Sequence, residues 1–437
     1  MTNCLKCTGL RQICVLFVMM AGPLKAQIRW NPTPTKTMND QALIFFNGST
    51  DSSYAFPGNW ANGLENLEQR VIDCINQSER SIDIAAFELN SLNIVVALCK
   101  AKERGVRVRL VFDDEHAPNN NPPLWKVARS LLTTKYGIPI MSDAGWPVVN
   151  RKDKFLKGYR SLMHHKFIVI DNLSSDSHDA VVITGSYNFT ITGMVSMQNV
   201  VIIRNANLAR NYTVEFEKMW GGSGDLPDET KAKFHQYKPF AIFDPIDFGK
   251  SSIQVYFAPF GRSSRDQDNL LARIADIITK ETDHDIRICS FSFSSGIEID
   301  DAIREKFELH HVDVKAVFDK TSKSKYSLYA AMTGNSGSLN PWTKKADAYL
   351  ANEDRQLHHK YILIDAENPD ARDIPVVITG SFNFSKNANE VNDDNFLVIR
   401  DREAVNQFLQ EFYARYARAR KANQVEPSAE IEPTEEE

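Results

Sequence analysis

The chain contains one block of residues twice. The first copy reads Leu162-Met163-His164-His165-Lys166-Phe167-Ile168-Val169-Ile170-Asp171 and, after a loop, Val181-Val182-Ile183-Thr184-Gly185-Ser186-Tyr187-Asn188-Phe189-Thr190. The second reads Leu357-His358-His359-Lys360-Tyr361-Ile362-Leu363-Ile364-Asp365, then Val376-Val377-Ile378-Thr379-Gly380-Ser381-Phe382-Asn383-Phe384-Ser385. Both are His-x-Lys-x4-Asp followed by a β-branched run and Gly-Ser-x-Asn, and ordinary composition does not produce such a pair by chance. The repeat extends upstream. Strands are predicted at 42–46, 81–87 and 106–112, with helices at 63–76 and 93–104; the second half repeats the order with strands at 254–257, 286–291 and 314–318 and helices at 269–279 and 299–307. Asp113 to Asp319 is 206 residues and His164 to His358 is 194, so the second unit has a loop 12 residues shorter. Each unit closes on a Glu-Phe helix, at Glu215-Phe216 and Glu411-Phe412. Strand and helix alternation in a duplicated unit predicts an α/β fold of two lobes.

The strand period then decides which side chains meet. Apolar β-formers at 167–170 and 361–364 predict buried strands. Side chains at i and i+2 share a face, so His164 and Lys166 point together, as do His358 and Lys360. Ser186 with Asn188, and Ser381 with Asn383, form the same kind of pair. Each half thus offers an imidazole, an ammonium, a hydroxyl and an amide on one face. Lys and Asn donors suit an anion with spread charge, such as a phosphoryl group. Two imidazoles can divide the labour: one attacks phosphorus to give a phosphohistidine, and the other protonates the leaving alcohol and then deprotonates water. Zinc is disfavoured, because adjacent histidines on a strand face opposite ways and each lysine would repel a cation. No metal or cofactor is therefore expected. His165 and His359 read as packing or support on the opposite face. Asp171 and Asp365 close their strands on that face too, and read as pinning a turn or a neighbour.

Over most of the chain after the first forty residues, these motifs resemble the phospholipase D superfamily, of the secreted bacterial type. The resemblance implies two α-β-α lobes with mixed sheets, related by a pseudo-twofold axis and meeting at one pocket. It implies that one histidine is the nucleophile, the other the general acid, and that the Lys and Asn pairs hold phosphate. His164, Lys166, Asn188, His358, Lys360 and Asn383 occupy those positions, and by family analogy His164 attacks. The family also places a carboxylate about ten residues after the Asn, bonded to the histidine. Asp394 fits that place in the second copy, and Gln198 stands there in the first. A carboxylate holds the tautomer and stabilises the charged imidazole, whereas glutamine does only the first. This asymmetry gives His358 the better electrostatic support, so the choice of nucleophile stays open.

The remaining segments frame these lobes. Lys6 and Arg11 precede an apolar run at 13–21 and a small residue before Gln27, which predicts a signal peptide over 1–26 and a secreted or periplasmic protein. The run is too short to span a bilayer. Lobes are expected at 27–220 and 253–420, joined by a linker at 221–252 that begins Gly221-Gly222-Ser223-Gly224, with a disordered acidic tail at 421–437. Cys74, Cys99 and Cys289 would remain after cleavage, an odd number that suggests buried free thiols. A net charge of −5 provides no global basic field for nucleic acid. Basic and aromatic residues do gather in two variable loops. One has Trp125, Trp146, Arg151, Lys152, Lys154, Phe155, Lys157, Tyr159 and Arg160; the other has Lys320, Lys323, Lys325, Tyr326, Tyr329, Trp342, Lys344 and Lys345. Such a rim suits a phospholipid headgroup at a membrane surface or, alternatively, single-stranded nucleic acid. The leading expectation is a monomeric enzyme that hydrolyses a phospholipid to phosphatidic acid and alcohol. A secreted nuclease, a cardiolipin-synthase-like transferase and a non-catalytic phosphate- or lipid-binding module are the rivals.

Overall fold

The structure is a computed structural model that describes residues 34–113, 123–144, 161–173, 180–259, 269–334, 337–368 and 374–425. The expected signal peptide, the basic run from Trp146 to Arg160, the Trp125 side chain and the tail beyond 425 lie outside the described residues. The first lobe runs β1 (Lys36–Thr37), β2 (Ala42–Phe46), α1 (Leu67–Gln77), β3 (Ser81–Ala86), α2 (Leu92–Glu103), β4 (Arg107–Phe112), α3 (Pro123–Arg129), β5 (Ile140–Ser142), β6 (Lys166–Ile170), β7 (Val181–Gly185), β8 (Asn199–Arg204) and α4 (Ala206–Trp220). The second runs β9 (Ile246–Phe248), β10 (Ser251–Phe257), α5 (Leu270–Glu281), β11 (Asp285–Ser290), α6 (Glu298–Leu309), β12 (Asp313–Phe318), α7 (Leu328–Thr333), β13 (Asp347–Leu350), β14 (Lys360–Ile364), β15 (Val376–Gly380), α8 (Lys386–Glu390), β16 (Asn395–Arg400) and α9 (Arg402–Val425).

Local chemistry sets the helix starts. Asn66 accepts from the Gln69 amide and begins α1 four residues later than the apolar pattern suggests, and Ser91 accepts from Ile94 to begin α2. Among the described residues each lobe forms one eight-stranded mixed sheet, ordered β1-β2-β8-β7-β6-β3-β4-β5 and β13-β12-β11-β14-β15-β16-β10-β9. Read from its other edge, the second order is the first repeated strand for strand. β3–β4–β5 and β11–β12–β13 pair parallel and the motif strands pair antiparallel. The predicted duplicated α/β architecture is the one observed.

One apolar cluster draws on both lobes. It joins Phe46, Phe167, Tyr212, Phe216 and Trp220 to Phe257, Leu363, Phe408 and Phe412, so α4 and α9 are buried with the inner faces of both sheets. Separate clusters place α1 and α2 on the outer face of the first sheet and α5 and α6 on that of the second. Full burial contributes about 1.5–3 kcal/mol for each large apolar side chain, and here it fixes the two sheets against each other. Every residue of β6, β7, β14 and β15 is buried. Strands covered on both faces carry near-continuous apolar runs, which is why these motifs show no alternation.

Two boundaries differ from expectation. α9 continues to Val425, five residues into the segment expected as tail, because Tyr416 and Ala419 are buried and the Asn423 side chain donates to the Leu350 carbonyl. The linker at 221–252 is also structured. Gly221, at φ +88°, ends α4, but Ala232, Phe234, His235 and Lys238 are buried and β9 pairs with β10. The thiols of Cys74, Cys99 and Cys289 are free. Burial pushes Cys74 and Cys99 up to about 11, which keeps them inert. Among the described residues no helix is long and apolar enough to cross a membrane.

Candidate active site

Both motifs meet where the lobes touch. His164 and His358 lie two residues before the starts of β6 and β14 and are 6% and 7% exposed. Backbone bonds cross the interface at this point: Asp393 N–H donates to Leu162 O at 2.8 Å, Met197 N–H to Gln356 O at 2.8 Å, and His358 N–H to Met197 O at 2.9 Å. Each lobe therefore lays the residues before its last strand along the other lobe's histidine segment.

This crossing corrects the sequence expectation about the carboxylate. Asp394 does not serve His358 in its own copy; its Oδ1 lies 2.7 Å from Nδ1 of His164. His358 Nδ1 instead faces Gln198 Oε1 at 2.8 Å and Ser186 O at 3.2 Å. Gln198 donates its Nε2 to Gly193 O at 2.6 Å, which turns its oxygen toward the histidine. Nδ1 of His358 is then the donor, and the carboxylate support belongs to His164. Asp394 also accepts from Ser381 Oγ at 2.6 Å, and Ser381 Oγ accepts from Asn395 N. Ser186 Oγ accepts from Asn199 N. The two serines thus tie the motif to β8 and β16.

The lysines are buried and arranged alike. Lys166 Nζ donates to His164 O at 2.8 Å and lies 4.7 Å from the Phe87 ring centre; Lys360 Nζ donates to His358 O at 3.0 Å and lies 5.0 Å from that of Phe291. The same two rings pack against His164 and His358. Burial brings Lys166 down to about 8, with Asp394 opposing the fall. Burial, then repulsion from Lys166, puts Lys360 well below its ordinary value. Burial, then the charges of Lys360, Lys166 and His164, depresses His358 strongly. Burial raises Asp394 to about 7, with Lys166 holding it back. The site gathers buried cationic groups that repel one another, and an anion bound among them would relieve that repulsion. Asn188 and Asn383 each have a buried Oδ1 with no hydrogen-bond partner among the described residues.

The other motif positions are structural. Asp171 and Asp365 adopt left-handed backbone at φ +55° and +54°. The Asp171 carboxylate accepts from the amides of Glu79, Arg80 and Ser81, and that of Asp365 from those of Asp283, His284 and Asp285. They pin the turn before β3 and before β11. His165 and His359 are fully buried on the opposite face, within 3.3 and 3.1 Å of Glu215 and Glu411. Each also reaches across the interface: His165 Nδ1 to Asn395 Oδ1 at 3.4 Å, and His359 Nδ1 from Asn199 Nδ2 at 3.2 Å. Glu215 and Glu411 were not among the predicted site residues, although the duplicated Glu-Phe pair marked them. Asp113 and Asp319 were likewise missed; they accept from Met163 N and Leu357 N and set the approach to each histidine. In the second variable loop Trp342 is buried and donates to Asp300, and Lys344 donates to Glu308 O, while Lys323, Lys325 and Tyr326 are exposed. Among the described residues no group of acidic, His and Cys side chains could hold a metal ion.

A duplicated mixed-sheet fold that brings two His-Lys-Asn sets to one interface is a phospholipase D-type architecture. The chain belongs to the phospholipase D superfamily: the family model described as "Cardiolipin synthase, PLD-like domain" matches residues 71–220 and 275–416. The chain is similar to the mitochondrial cardiolipin hydrolase of Danio rerio, 24% identical over 218 residues, covering 50% of this chain and 82% of that protein. It is similar to that of Xenopus tropicalis at 24% over 152 residues, covering 35% of this chain and 60% of the relative's length. The crystal structure of a phosphatidylserine synthase from Haemophilus influenzae aligns over 89% of this chain and 91% of that one, with a TM-score of 0.57 and 13% identity, a likeness of fold.

Proposed function

We propose that the protein hydrolyses a phospholipid to phosphatidic acid and headgroup alcohol through a phosphohistidine on His164. The observation that carries the assignment is the division of partners, Asp394 on His164 and Gln198 on His358. A phosphorylated imidazole keeps its Nδ1–H and gains positive charge, which a carboxylate stabilises and a neutral amide does not. With Nδ1 held by Asp394, the Nε2 lone pair of His164 attacks phosphorus. The P–O bond to the headgroup breaks, and the leaving oxygen takes a proton from His358. His358, now neutral, removes a proton from water. The resulting hydroxide attacks phosphorus, the P–N bond breaks, and its electron pair returns to His164. Lys166, Lys360, Asn188 and Asn383 hold the phosphoryl oxygens, whose charge grows in each transition state. An alcohol in place of water would give transfer.

A lipid substrate is supported by the relatives' names, which specify cardiolipin, and by the net charge of −5. The apolar stretch before Gln27 supports export to a compartment where phospholipid is met. Since one chain supplies both motifs, a monomer completes the site. The test is release of phosphatidic acid from phosphatidylcholine and cardiolipin vesicles beside cleavage of single-stranded DNA, all in EDTA. Turnover of lipid, with phosphate trapped on His164, is the expected result. Cleavage of DNA alone would make it a nuclease, and no covalent phosphate on either histidine would remove the mechanism.

A further inference from the structure

The segment that joins the lobes carries a buried cationic pair. His235, 2% exposed and at φ +55°, a backbone conformation that L residues seldom adopt, is held from three directions. Its amide donates to Asp393 Oδ1 at 2.8 Å, its Nδ1 lies 3.0 Å from Asp393 Oδ2, and its Nε2 lies 3.2 Å from Oδ2 of Asp143, just past β5. Lys238 Nζ lies 2.8 Å from Asp393 Oδ1, also meets the Glu215 carboxylate, and donates to Ala258 O. Glu215 in turn faces His165. Asp393 is therefore a junction. Its side chain is bound to the linker, its backbone amide to Leu162 two residues before His164, and the next residue is Asp394 on His164 Nδ1.

The other half of the site is built differently. Met197 takes the place of Asp393 beside Gln198, and Arg415 of α9 meets Glu411 and Glu353 there. Among the described residues, the ion pairs of His235 and Lys238 fall in the half that contains His164. We propose that His235 and Lys238 are positioning residues that clamp Asp393 and so hold Asp394 against His164. The linker is then part of the catalytic apparatus and more than a tether. Burial alone would lower His235, but Asp393 and Asp143 outweigh it and push it up to about 9, so the clamp is charged at neutral pH. The proposal rests on the two-histidine reading and deepens it.

The test uses the whole chain with bis(p-nitrophenyl) phosphate as substrate. His235→Asn suits a left-handed position, because Asn tolerates positive φ, but it lacks the charge. Its kcat is expected to fall roughly tenfold or more with KM within about twofold, the pattern of a lost partner to a reacting group. Combined with Asp394→Asn, it is expected to add almost nothing, because both act through one contact. The ¹⁵N resonances of His164 should shift in His235→Asn and leave those of His358 in place. Lys238→Met gives the same readouts should His235→Asn not fold. A folded variant with wild-type kcat, or losses that multiply in the double variant, overturns the proposal. If phosphate is never trapped on His164 in the unmodified chain, the mechanism fails instead, and the two failures are separate.

Discussion

Nδ1 of His164 meets the Asp394 carboxylate at 2.7 Å, and Nδ1 of His358 meets the Gln198 amide oxygen at 2.8 Å. The two imidazoles therefore have the same donor geometry and different electrostatics. Asp394→Asn keeps the geometry and removes the charge, and is expected to lower kcat by about 10²–10⁴-fold. Gln198→Glu adds a charge where the proton must come and go, so more of His358 would stay protonated at neutral pH and unable to take the proton from water, a loss of roughly tenfold in kcat. Both are read from kcat on a p-nitrophenyl phosphodiester. A larger loss in Gln198→Glu than in Asp394→Asn would reverse the assignment.

His358 acts on the leaving group, so a good leaving group should reduce the need for it in the first step. With bis(p-nitrophenyl) phosphate, His358→Asn is expected to release about one equivalent of p-nitrophenol quickly and then stall as a phosphoenzyme. The label should be found on His164 by mass spectrometry. His164→Asn should give neither burst nor label. Both variants should show negligible steady turnover on phospholipid. A burst in His164→Asn with label on His358 would exchange the two roles.

Three groups in the site are depressed by burial: Lys166 to about 8, with Lys360 and His358 well below their ordinary values. An anion restores the charged forms, so binding must take up protons near neutral pH. Inorganic phosphate should bind with net proton uptake, measured by titration calorimetry in buffers of different ionisation enthalpy. Its affinity should fall as pH rises through about 8, where Lys166 loses its proton in the free protein. Binding without proton exchange at pH 7.5 would show that these groups are charged before the ligand arrives.

The duplication made the fold and the site chemistry legible in the sequence, because a strand period and a repeated motif both act over short distances. The partners of the histidines were not legible in the same way. Asp394 lies 230 residues from His164, and the local pattern paired it with its own copy. Only the crossing of Leu162 with Asp393, and of Met197 with Gln356, exchanges the partners, and backbone pairing between lobes leaves no period in the chain. β8 and β16 were not predicted, yet they position Gln198 and Asp394. His235 was hidden for another reason. Its surroundings read as a linker by composition, and its burial depends on Asp143 and Asp393, distant in sequence.

That buried histidine gives stability a measurable pH dependence. The groups facing it are Asp143, Asp393 and, through Asp393, Lys238 and Glu215. Its pKa is raised to about 9 from an unfolded value near 6.5, so its contribution is fully present below about 6.5 and is lost as pH rises through 9. The contribution is on the order of 3 kcal/mol. Lys166 works in the opposite sense: lowered to about 8, it costs stability while it is charged, and that cost is relieved as pH rises above 8. The two must be separated by comparison, and His235→Asn provides it. The difference in unfolding free energy between the unmodified chain and this variant should be largest near pH 6 and shrink steadily to pH 9.5, measured by urea denaturation. A difference that stays constant over that range would mean that His235 is neutral in the folded protein, held by packing and hydrogen bonds alone.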